Sequence, residues 1–114
     1  MPKRTFLSQA PPFAVESAIQ QLGGNLRTAR LRRGLTIAEV AQKIGAGVRA
    51  VSDAEHGKAT TAVSVYVALL WLYGLLPALE EVASPLKDEE GLRLTALREP
   101  RRARGSRERL DNDF

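Results

Sequence analysis

The stretch from Thr36 to Gly57 most constrains what this chain can fold into, because it reads as two helices of about two turns each, parted only by Gly45-Ala46-Gly47. Thr36 and Glu39 stand at the spacing of a capping box. Behind them Ile37, Val40, Ala41 and Ile44 recur at i, i+3, i+4, i+7, one apolar face of a short helix. Val48 to Glu55 forms the second helix, with Val51 and Ala54 inward and Gly57 as its stop. Helices this short are marginal alone, since nucleation is unfavourable and few bonds follow it. The pair must therefore be held by other helices packed around it.

The flanks supply them. Leu22, Leu26 and Ala29 repeat at i, i+4, i+7 in a helix that begins near Phe13 and stops at Gly34. Gly23 and Gly24 lie inside it, at roughly 1 kcal/mol each relative to Ala, which predicts a bend or break there. After the short pair, Thr60 or Thr61 is positioned to cap a fourth helix, Ala62 to Tyr73, with Tyr66, Leu69, Leu70 and Tyr73 on one apolar stripe. Ala68, Trp71 and Leu75 lie on its other side. Pro77 suits the start of a fifth helix to about Ala83, which Ser84-Pro85 ends. No strand alternation occurs. The expected fold is all-α, with five helices over residues 13–84, an extended arm over residues 1–12 (Pro2, Pro11, Pro12), and a polar, Arg-rich tail over residues 85–114.

Length and residue types narrow the chemistry. A chain of 114 residues, 44% hydrophobic and 26% charged, builds one core and is a folded protein rather than a disordered one. Without cysteine there is no disulfide, thiolate zinc site or cysteine nucleophile, and the lone His56 cannot build a metal site. The carboxylates of Glu80-Glu81 and Asp88-Glu89-Glu90 are sequence neighbours, and no glycine-rich phosphate loop is present, so neither an enzyme nor a cofactor is expected. The most apolar run, Val63 to Leu76, falls short of the ~20 residues of a membrane span. A cytoplasmic, nucleoid-associated protein is the expectation. The net charge of +4 is unevenly spread: residues 1–60 carry nine Lys or Arg against four Asp or Glu, and residues 61–114 eight against nine. The basic surplus falls on the half that holds the short helix pair, which suits a polyanionic partner.

Two short helices across a tight glycine turn are a helix-turn-helix, whose second helix enters the DNA major groove. The wider run LRTARLRRGLTIAEVAQKIGAGVRAVSDAEHGK resembles the DNA-binding domain of the Cro/C1 (Xre-type) repressors over roughly residues 22–82. Arg30 stands four before Gly34, Ala41 within the first motif helix, Gly45 at the turn and Glu55-His56-Gly57-Lys58 at the end. The resemblance implies a lambda-repressor-like five-helix domain. It implies base contacts for Val48, Arg49, Ser52 and Asp53: Arg49 to guanine, Val48 to a thymine methyl, Asp53 to a cytosine amino group. The plainer alternative for these four is ordinary solvent exposure. Phosphate contacts fall to the Gly47 backbone, Lys43, Lys58 and His56, the last serving either there or as a helix cap, and Arg30 with Glu55 matches a partly buried structural ion pair. Gly47 replaces a frequent Ser or Thr, and Ile37 a frequent Gln, which removes two side-chain hydrogen bonds.

Beyond the motif, PPFAVESAIQQLGGNLRTARLRRG, VYVALLWLYGLLPALEEVASP and DEEGLRLTALREPRRAR resemble the HipB-type antitoxins, Xre-like repressors paired with HipA-type kinase toxins. The resemblance implies a repressor of its own operon that also binds a HipA-like kinase. A second apolar face, Ala68, Trp71 and Leu75 joined by Leu76 and Leu79, points to a homodimer on a palindromic double-stranded DNA operator. The arginines between Arg98 and Arg109 predict a mobile tail, and Leu110 and Phe114, which bracket acidic residues, suit docking on a partner. Three alternatives stay open: a stand-alone Xre-type regulator, an interaction module without DNA binding, and a tail that binds DNA phosphates.

Overall fold

Why the glycines stand where they do becomes clear from the helix ends. The computed structural model describes residues 11–98, and the elements within them are α1 (Phe13–Arg32), α2 (Ile37–Ile44), α3 (Val48–Glu55), α4 (Val63–Leu72), α5 (Leu76–Glu80), a 3-10 turn (Pro85–Lys87) and α6 (residues 89–98). No strand occurs among the described residues. The first four helices end alike. Gly34, Gly45, Gly57 and Gly74 all have positive φ. In each case the residue after the glycine donates its amide back across the last turn, as in Leu35 to the Arg30 carbonyl at 3.2 Å and Lys58 to the Asp53 carbonyl at 3.0 Å. This closes carbonyls that a helix end would leave open, in a conformation where a Cβ would be strained.

The chain divides into two units between Leu79 and Glu80. In the first, α1 packs on α3, α2 on α3 and α4, and α3 on α4. Each of these helices contributes one fully buried large side chain: Leu26, Val40, Val51 and Leu69. Burial of each is worth about 1.5–3 kcal/mol. Around them Ala29, Ala41, Ala54, Tyr66 and Tyr73 complete the core, and Leu22 and Leu70 are packed against it half-buried.

Four expectations need correcting. The helix through Gly23 and Gly24 is unbroken from Phe13 to Arg32. A Cβ on Gly23 would collide with the Ala54 carbonyl and come within 2.8 Å of that of Glu55, so the glycine admits the backbone of α3. Neither Thr60 nor Thr61 caps α4: its N-cap is Ala62, with no side-chain bond, and the Thr61 hydroxyl is buried without a partner. The fifth helix starts at Leu76, one residue before Pro77, and ends at Glu80 rather than near Ala83, where the backbone turns with φ of 61°. Finally, the segment read as polar tail contains α6. Asp88 starts it, accepting the Gly91 amide on its side chain at 3.0 Å, and Glu89 and Glu90 suit the positive end of the helix. Leu110 and Phe114, and the arm before Pro11, lie outside the described residues.

Candidate nucleic-acid interface

The short pair is built as a rigid unit. At the start of α2 the Thr36 hydroxyl accepts the Glu39 amide at 3.1 Å, and the Glu39 carboxylate accepts the Thr36 amide at 2.8 Å. Hydrogen bonding to the carboxylate by the Thr36 backbone N–H first, and by the Thr36 side chain second, holds the Glu39 carboxyl below its ordinary range. Ala46 then donates to the Ala41 carbonyl at 2.9 Å, which closes α2, and α3 begins two residues later.

α3 is fixed at both ends of its buried face. Toward the N-terminal half, Val51 is fully buried. At the other end, the Arg30 guanidinium grips the Glu55 carboxylate twice, Nε to Oε2 at 2.7 Å and Nη2 to Oε1 at 3.0 Å. Arg30 Nη1 also donates to the Leu35 carbonyl at 2.9 Å, which ties the entry to α2 into the same network. Both side chains are buried, and hydrogen bonding to Glu55 raises the Arg30 pKa against the opposing effect of burial.

With Val51, Ala54 and Glu55 inward, the helical period turns the others out. Val48, at 54% exposure, and Arg49 are exposed, Ser52 and Asp53 are half-exposed, and His56 is exposed just past the helix. These five follow at i, i+1, i+4, i+5 and i+8, so they share one face. Gly47 caps α3 with no side chain, and the first intrahelical bond is from Val51 to the Gly47 carbonyl at 3.3 Å. The amides of Val48, Arg49 and Ala50 thus precede the helix ladder, at its positive end. Lys43 is exposed on the last turn of α2.

The structure adds two features to the face, the first missed in the sequence and the second one of the two roles expected for His56 there. Lys58 Nζ lies 3.9 Å from Asp53 Oδ2, although the spacing of five residues is not a helical neighbour distance. The turn at Gly57 folds Lys58 back over the last turn of α3 and brings them together. His56 Nδ1 lies 2.8 Å from the Ser52 carbonyl oxygen. A carbonyl only accepts, so Nδ1 holds the proton in that bond and Nε2 is the nitrogen open to another partner.

The five residues expected at a dimer interface border neighbouring grooves, two of which share Val67. Ala68, Trp71 and Leu76 line a groove with Lys43, Ile44, Ser64 and Val67. Leu79 lines a different one, with Ile19, Leu22 and Tyr66, and Leu75 a third, beside Arg32 and Arg33. Trp71 is 61% exposed. Among the described residues no helix is long and apolar enough to cross a membrane, and no cluster of His, Asp or Glu is placed to hold a metal ion.

Comparison with protein families matches residues 21–83 to a helix-turn-helix domain. The match takes in α2, the turn and α3, with most of α1 before them and α4 and α5 after, and leaves residues 11–20 and 84–98 uncovered. No curated protein matches the chain, and no solved structure does.

Proposed function

Since the chain belongs to the helix-turn-helix domain family, we propose that it is a sequence-specific DNA-binding transcriptional repressor that reads its operator with α3. The observation that carries this reading is the division of α3 into two sets of residues. Those that lock it to the protein (Val51, Ala54, Glu55) and those that face outward (Val48, Arg49, Ser52, Asp53) do not overlap. Arg49 takes the bidentate role toward guanine, Val48 packs on a thymine methyl, and Asp53 accepts from a cytosine amino group. The amides at the start of α3, Lys43 and His56 anchor on phosphates and set the register. Lys58 serves the same purpose and also offsets the charge of Asp53, which would otherwise stand unpaired among phosphates.

One recognition helix reads few bases, so two copies act together on a palindromic operator with half-sites about 34 Å apart. The apolar surface around Trp71 supports the homodimer. The likeness of the flanking segments to HipB-type antitoxins supports a second role as the antitoxin of a HipA-like kinase, repressing the operon that encodes both.

Mobility shifts on operator DNA test the core of the proposal. Arg49→Ala is expected to weaken specific binding by about 1–3 kcal/mol and relax preference at one base position. Lys58→Ala is expected to weaken binding alike on all sequences and flatten its salt dependence. Unchanged discrimination in Arg49→Ala contradicts the assignment of α3. The antitoxin role is tested separately by copurification with a HipA-like kinase encoded beside it; the kinase failing to copurify leaves a stand-alone regulator.

A further inference from the structure

The second unit holds α6, a helix exposed at every described residue but Gly91, with its charges sorted along it. α6 is exposed at Glu90, Leu94, Leu97 and Arg98, four residues spaced i, i+4, i+7 and i+8 and therefore on one face. Leu97 is 73% exposed and Leu94 48%. The face runs from acid through leucine to base. Its acidic end is continued by Glu89 and by Asp88, whose side chain is already engaged in capping the helix. Within the helix Glu90 has one loose bridge among the described residues: Arg93 Nη2 lies 3.8 Å from its Oε2, with both side chains largely exposed.

We propose that this face of α6 (Glu90, Leu94, Leu97, Arg98) is a self-pairing surface through which two copies of the chain associate with their α6 helices antiparallel. Charge order selects both the partner and the direction. Set antiparallel about Leu94, Glu90 of one copy meets Arg98 of the other, and twofold symmetry makes the same contact again at the far end. The leucines then meet in the middle and leave water together. In a parallel pair Glu90 would face Glu90 and Arg98 would face Arg98, with the helix dipoles aligned, so repulsion at both ends disfavours it. A helix of ten described residues is about 15 Å long. That is a small interface, which suits a weak and reversible contact rather than an obligate one.

This surface is independent of Trp71, and its test keeps the two apart. Sedimentation velocity over a concentration series is run on the full chain carrying Trp71→Glu, so that association by the other apolar face is disabled. The expected result is residual concentration-dependent association that Leu94→Glu abolishes. Glu90→Arg alone, or Arg98→Glu alone, should weaken it by about 3- to 10-fold, since each sets like charges opposite one another twice. The double reversal, Glu90→Arg with Arg98→Glu, should restore it. Circular dichroism confirms that α6 persists in each variant. The proposal is overturned by the absence of residual association, by single reversals that leave association unchanged, or by a double reversal that fails to recover it. A lower melting temperature in Leu94→Glu with unaltered association also overturns it, because the leucine would then serve its own protomer.

Discussion

At the scale of single residues, Arg30 joins three segments of chain: its own helix, the Leu35 backbone that leads into α2, and Glu55 at the end of α3. A buried ion pair adds little net stability when intact, but removal of one partner strands the other. Arg30→Ala is therefore expected to lower unfolding free energy in urea by about 3 kcal/mol, whereas a loss under about 0.5 kcal/mol would mean that solvent screens the pair. Tyr73 is the converse case. Its ring sits under the Arg33 guanidinium at 5.2 Å, and Arg33 Nη2 donates to its carbonyl at 2.9 Å, yet its hydroxyl is buried without a partner. Burial pushes the phenol up from its usual value of 10.0. An acid whose pKa is raised by folding is disfavoured as the anion, so its contribution holds below pH 10 and is lost as pH climbs through the folded value. Tyr73→Phe should leave stability at pH 7 equal or higher by about 1 kcal/mol and should remove part of the alkaline decline. Melting curves from pH 8 to 11 compare the two; parallel declines would contradict this.

At the scale of elements, the two adjacent glycines of α1 should behave oppositely. A Cβ at Gly23 has no room against α3, so Gly23→Ala is expected to destabilise by about 1–3 kcal/mol. Gly24 has nothing within 4 Å, so Gly24→Ala should stabilise by about 0.5–1 kcal/mol. Equal effects in thermal melts would sink the argument. The same pair marks where sequence reasoning stops. Helix propensity weighs each glycine against its own helix and predicts a break, but the reason for Gly23 lies in the carbonyl of Ala54, 31 positions away. Local signals fared better. The Thr36–Glu39 box, the terminating glycines Gly34, Gly45 and Gly57, and the inward Val40, Ala41, Val51 and Ala54 all depend on local spacing, and all were readable. The start of α6 was readable too, from Asp88 followed by two acids in the first turn, but charge density argued for a tail. Of the candidate interface, the inward residues of α3 followed from its period, and the outward set from the resemblance of the motif to Xre-type repressors. The Lys58 and Asp53 contact did not, since it depends on how the Gly57 turn redirects the chain.

At the scale of the whole molecule, the proposed function needs two copies of the chain on one operator. Trp71→Glu, in the groove it shares with Ala68 and Leu76, should yield mainly monomers at low micromolar concentration with weaker operator binding. Leu79→Glu, in the groove of Ile19 and Tyr66, should leave the dimer intact. Sedimentation of both variants checks this, and dissociation by Leu79→Glu alone would move the interface. The two faces of α3 carry a different consequence. Because Val48, Arg49, Ser52, Asp53 and His56 hold none of the buried contacts, selection can rewrite them at little penalty to folding, and on the proposed reading of α3 each combination is a new address on the genome. Duplicated copies could then diverge toward separate operators by a handful of codon changes, while the lock of Arg30 and Glu55 passes unaltered from one to the next.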